Sequence, residues 1–111
     1  MIRKLNRKFT LEALSASPDG AGGIVESWSP VAVLAAELKA SSGRERETGG
    51  RASARVTHRA WLRYLPFGHA ERPQPDQRFR EGERAFAIRG VAEADEERRY
   101  LVCWLEEGAL S

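Results

Sequence analysis

The chain has 111 residues, 41% of them hydrophobic and 31% charged, which is the balance of one globular domain over residues 1–111 and not of a disordered tail. It holds no apolar run of the roughly 18 residues a spanning helix needs, so no membrane partner is expected. A lone cysteine, Cys103, excludes an internal disulfide and has no partner spacing for zinc. The net charge is +2, but residues 1–69 carry 11 Lys/Arg against 6 Asp/Glu (+5) and residues 70–111 carry 7 against 10 (−3). Such asymmetry favours contact with copies or neighbours in an assembly; a mixed solvated surface is the simpler alternative.

The first residues, "MIRKLNRKF", are basic and no apolar segment follows, so no secretory signal is expected and synthesis in a reducing cytoplasm is the simplest setting. "RKFTLEAL" (7–14) sets Phe9, Leu11 and Ala13 against Thr10, Glu12 and Leu14, the period of a strand. "SPDGAGG" (17–23) then raises the question of a phosphate-binding glycine loop. A P-loop needs a lysine and a hydroxyl after its last glycine, whereas Ile24, Val25 and Glu26 follow here. A bend between strands is the better reading, with Pro18 presetting φ, Asp19 capping and glycines accepting positive φ. "GIVESW" (23–28) is a second strand. "VAVLAAELKA" (31–40) has alanines that suit a helix, but its β-branched start after Pro30 favours a third strand, with Leu34, Ala36 and Leu38 on one face.

Residues 41–55, "SSGRERETGGRASAR", lack an apolar period and predict a long protruding loop, a length usually reserved for functional or disordered segments. In "VTHRAWLRYL" (56–65), His58, Ala60, Leu62 and Tyr64 share one face and Arg59, Trp61 and Arg63 the other. The proline-rich stretch 66–75 is a connector. Residues 77–91 read as a hairpin turning at "EG" (81–82), 93–98 as an acidic turn, and "RYLVCWLEE" (99–107) as the last strand with Leu101, Cys103 and Leu105 inward. About seven short strands predict an all-β fold, a small barrel or sandwich.

No catalytic, cofactor-binding or metal-binding set emerges. His58 and His69 lack metal-ligand spacing, Cys103 has nothing beside it to activate a thiolate, and the carboxylates of 93–97 lack calcium-loop spacing. An enzyme is therefore not expected, and neither is a cofactor. Arg44, Arg46, Arg51, Arg55, Arg59 and Arg63 fall within 20 residues, with Trp61 and Tyr64 close by. Basic, aromatic-bearing segments attract nucleic acid through phosphate charge and stacking. Glu45 and Glu47 dilute the charge, which argues against base-specific reading.

In order, "LNRKFTLEA", "PDGAGGIVESW", "AVLAAELKASSGRE", "VTHRAWLRY" and "QRFREGERAFAIRGVAEADEERRYLVCWLEE" resemble the head–tail joining family of tailed bacteriophages, the small head-closure or stopper proteins. The segment 77–93 looks closest to the version in alphaproteobacterial gene transfer agents. The resemblance spans about residues 5–107 and rests on the order of short motifs. It implies a structural virion protein at the particle neck, with a small β-barrel fold and a long protruding loop. Such proteins form a ring, commonly hexameric, that closes the capsid DNA exit. The ring meets an adaptor ring on the portal side and the tail terminator or tail tube on the other, and packaged double-stranded DNA passes through it. Where the family frequently has an aromatic residue in the third strand, this chain has Leu34, a packing change.

In that frame Arg44, Arg46, Arg51 and Arg55 are candidates for a loop facing the channel or a partner ring. Trp61, Arg59 and Arg63 are candidates for an interface, since interfaces favour Trp and Arg anchors; equally, Trp61 could cover the second side of the core. The tip of the 17–23 bend is a further candidate contact. A tail-terminator ring of the same assembly, or a small basic barrel binding nucleic acid non-specifically, are the alternatives.

Overall fold

The computed structural model describes residues 2–41 and 56–108. Among these residues there are six strands: β1 (Arg7–Pro18), β2 (Ile24–Ala40), β3 (His58–Arg63), β4 (Arg78–Glu81), β5 (Arg84–Glu93) and β6 (Tyr100–Glu107). All neighbours are antiparallel, and the order β1-β2-β3-β6-β5-β4 closes on itself as a barrel. The all-β expectation holds.

The alternation read along each strand fills the interior. Phe9, Leu11, Ala36, Ala60, Leu62, Phe79, Phe86, Ile88, Leu101, Cys103 and Leu105 form one buried cluster. Phe9 lies at its centre, stacked 5.3 Å from Phe79 and tilted 5.6 Å from Phe86. Closure of so small a barrel requires bends, and two irregularities in register supply them. One lies on β2, where Leu11 pairs Ala32 but Glu12 pairs Pro30; the other lies on β5 between Ile88 and Gly90.

The strand count differs from seven because 23–28 and 31–40 are one continuous strand running through Pro30. Proline is tolerated there for two reasons: it sits at the bulge, and β2 pairs with β3 only over Ala36–Ala40. On the β3 side, Pro30 therefore has no ladder bond to give up.

The long β1 and β2 outrun the barrel. Beside β4, β1 is paired only over Thr10–Glu12. Beyond those points, residues 13–18 and 24–31 form a two-stranded arm whose outer edges have no neighbouring strand among the described residues. The arm ends at the bend read from the sequence. The Asp19 carboxylate accepts hydrogen bonds from the backbone N–H of Ala21 (2.7 Å) and Gly23 (2.9 Å). Gly20 and Gly22 take φ of +84° and +88°, a region that favours glycine. The bend is a structural turn and not a phosphate loop. The arm protrudes from the barrel; of the loop expected over 41–55, residues 42–55 lie outside the described residues.

Candidate interaction surface

Three parts of the surface carry the candidate chemistry. The first is the outer face of β3. Alternation places Arg59, Trp61 and Arg63 together there, as expected. Cross-strand pairing then adds Lys39 and Glu37 from β2 and Val102 and Tyr100 from β6. The chain before β1 folds over this face. Arg3 stacks its guanidinium 3.9 Å from the Trp61 ring centroid, bonds Glu37 at 2.9 Å, and its backbone N–H donates to the Tyr100 hydroxyl at 3.2 Å. Arg59 approaches the same ring at 5.1 Å. Trp61 is therefore 6% exposed, covered by its own chain, while Arg63 is exposed. The Arg3 hydrogen bond and charge hold the Glu37 carboxyl below the usual range.

The second part is the arm. Its apolar side chains face solvent: Ile24 is 73% exposed, Val25 50% and Leu14 48%. Monomers seldom leave such residues grouped on a projecting ribbon unless something docks there. A brace fixes the arm's base. Arg78 reaches from β4 to bond Glu12 at 2.6 Å and lies 4.3 Å over the Trp28 ring, and the ion pair is largely shielded from water.

The third part is a groove where β2 parts from β3. Leu5, Val33, Leu34, Ala35, Leu62, Arg63 and Leu65 line an open cavity of about 160 Å³. Its walls are mostly aliphatic and its volume falls below that of ordinary small-molecule pockets. It has room for one or two aliphatic side chains. Sequence reading did not single out the arm's apolar residues or this groove. The available signal was that alternation continues through 13–18 and 24–33, and that residues 9–38 contain four acids and no Lys or Arg.

Of the remaining candidates, Arg44, Arg46, Arg51 and Arg55 lie outside the described residues. Cys103 is fully buried, and desolvation pushes its thiol up to about 12. His58 packs edge-on against Phe86 at 5.4 Å, with Nδ1 2.9 Å from the Thr57 hydroxyl and Nε2 3.9 Å from Glu107. Among the described residues there is no group of three or more His, Cys, Asp or Glu placed to hold a metal, and no helix long and apolar enough to cross a membrane.

The fold and these surfaces define a small closed barrel with an arm and a groove suited to contacts with other proteins. The family model for phage head completion proteins matches residues 1–108, and the chain belongs to that family. It is 34% identical over 61 residues to head completion protein gp7 of Enterobacteria phage HK97; the match spans 55% of this chain and about half (54%) of that protein. A chain in the structure of the virion of a native gene transfer agent particle is 42% identical and superposes with a TM-score of 0.72, covering 96% of this chain and 97% of the other. A Shigella flexneri 2a protein solved in solution is 27% identical, with a TM-score of 0.71 over 96% of each chain. The resemblance to phage head-completion proteins and to the gene transfer agent version thus holds.

Proposed function

We propose that this chain is a ring-forming connector at the neck of a tailed phage or phage-like gene transfer agent. It closes the capsid DNA exit and joins the portal and adaptor side to the tail. The observation that carries this reading is the 42% identity, over nearly the whole chain, to a component of a gene transfer agent virion. The physical form supports it. A rigid barrel gives a fixed frame, the arm offers an exposed docking element, and the β3 face offers a second side. Rings arise when two different surfaces of one chain meet with a closing rotation.

In this reading Arg44, Arg46, Arg51 and Arg55 face the DNA channel or an acidic loop of a neighbouring ring. Arg59 and Arg63 present charge at the side of the subunit, with Trp61 holding the Arg3 strap beneath them. In this reading the chain acts by position and contact.

Deletion of the gene, followed by electron microscopy and a DNA-retention assay, tests the proposal. Tailless heads that leak DNA, together with free finished tails, are expected. Normal tailed particles with full DNA would overturn it. A gel-shift titration of the purified chain separates the rival role of free nucleic-acid binder, which requires salt-sensitive binding to naked DNA.

A further inference from the structure

The arm and the groove are complementary in shape, polarity and charge, and they belong to the same chain. We infer that the tip of the arm, led by Ile24, seats in the groove lined by Leu5, Val33, Leu34, Leu62 and Leu65 of a second copy. This rests on the ring reading above and names the contact through which neighbouring copies would engage.

Three observations commit the groove to that occupant. The first is size: about 160 Å³ accepts an aliphatic side chain, and the arm tip offers Ile24 at 73% exposure, with Val25 on the opposite face of the strand. The second is the backbone. Past Ala36, β2 has no partner on its β3 side among the described residues, so the groove runs along an open strand edge at Val33–Ala35. An incoming extended segment gains ladder hydrogen bonds as well as apolar burial. The third is charge. Residues 9–38 carry Glu12, Asp19, Glu26 and Glu37 and no Lys or Arg, in a chain whose net charge is +2, so the remainder carries +6. Glu12 and Glu37 are taken up by Arg78 and Arg3, which leaves Asp19 and Glu26 on the arm itself. The groove's rim carries Arg63, which has no ion-pair partner among the described residues. An acidic, apolar strand meets an apolar slot with a basic rim.

Within one chain the arm cannot reach the groove. Ile24 and Val33 sit nine residues apart on the same extended strand, about 30 Å at roughly 3.3 Å per residue. The contact is therefore head-to-tail between copies. One such contact falls short of the area of a stable complex, so the isolated chain associates weakly and the ring gains from repetition.

Disulfide trapping in the full chain tests this. Ile24→Cys and Val33→Cys cannot bridge within one chain, because the sites lie far beyond the span of a disulfide, and native Cys103 is fully buried. Two singly substituted proteins, mixed and mildly oxidised at high concentration, are expected to give a mixed dimer. The double variant is expected to give a ladder of higher oligomers, and particles assembled with it a covalent multimer on non-reducing gels. Ile24→Cys dimerising only with itself would mean arm–arm pairing and would overturn the inference. So would particles that contain the double variant but show no covalent multimer; the neck assignment would then stand without this contact. Absence of the chain from wild-type particles would remove the neck assignment and the inference together.

Discussion

Residues 7–12 and 13–18 belong to one strand but live in different surroundings. The first half has β2 on one side and, from Thr10 to Glu12, β4 on the other, and it buries Phe9 and Leu11 completely. The second half pairs only with β2 and leaves Leu14 48% exposed. The face that carries Phe9 and Leu11 in the core continues as Ala13, Ser15 and Ser17 in the arm, while Leu14 lies on the opposite face of the unpartnered ribbon. Free energy of folding is concentrated in the barrel, and surface for assembly is concentrated in the arm. Substitutions in the two regions should therefore separate stability from association.

The largest effect is expected at the centre of the barrel. Phe79→Ala removes a fully buried ring that stacks on Phe9, and should cost about 3–5 kcal/mol in denaturant unfolding. Loss of less than about 1 kcal/mol would mean the barrel interior is looser than described. The junction comes next. Arg78→Ala strands Glu12 and uncovers Trp28, and should cost about 2 kcal/mol, less than a fully buried pair because Glu12 still meets some water. Hydrogen exchange in 13–18 and 24–31 should rise in this variant more than in the barrel. Equal increases in both would contradict a brace at the arm's base.

Acid should act on both regions with the same sign. Glu37, Glu81 and Glu107 in the barrel and Asp19 at the arm tip are held below their ordinary values, chiefly by hydrogen bonds from Arg3, Arg7, Arg84 and the Ala21 N–H respectively. Their depressed values stabilise the fold fully above the unfolded carboxylate range of about 4. That stabilisation is lost as pH falls through the lower folded values. Stability should be flat on this account between about pH 5 and 8 and decline below about 4. The Ala21 amide resonance should titrate with a midpoint below that of an ordinary aspartate, and an ordinary midpoint would remove the Asp19 cap. The smallest effect on stability is expected at the arm tip. Ile24→Ser should leave unfolding within about 0.5 kcal/mol of the parent. Any self-association at high concentration should fall, and a large loss of stability instead would show that the arm folds back onto the barrel.

Much of the barrel was legible because a half-buried strand must alternate. Phe9 and Leu11, and Ala60 and Leu62, were placed on shared faces and Leu101, Cys103 and Leu105 inward from period alone, and all are buried. The 17–23 bend was legible because Asp19 and the glycines have few other uses in that order. Pro30 misled the strand count, since whether a proline breaks a strand depends on whether a neighbour needs its N–H. The Arg59, Trp61 and Arg63 face was legible as a face. Its cover was not, because Arg3 reaches Glu37 and Trp61 only once the chain ahead of β1 crosses the sheet.

The sequence by itself determined the all-β class, the residues that share a face on most barrel strands, the tip turn and the absence of an internal disulfide. These follow from local periodicity, turn chemistry and composition. Only the tertiary structure decided where the barrel stops and the arm begins. It also decided that Arg78 braces Glu12 from 66 residues away and that a groove opens where β2 leaves β3. Those features depend on which strand lies beside which. Alternation says which side chains share a face, and only the neighbouring strands decide whether that face meets a core or solvent.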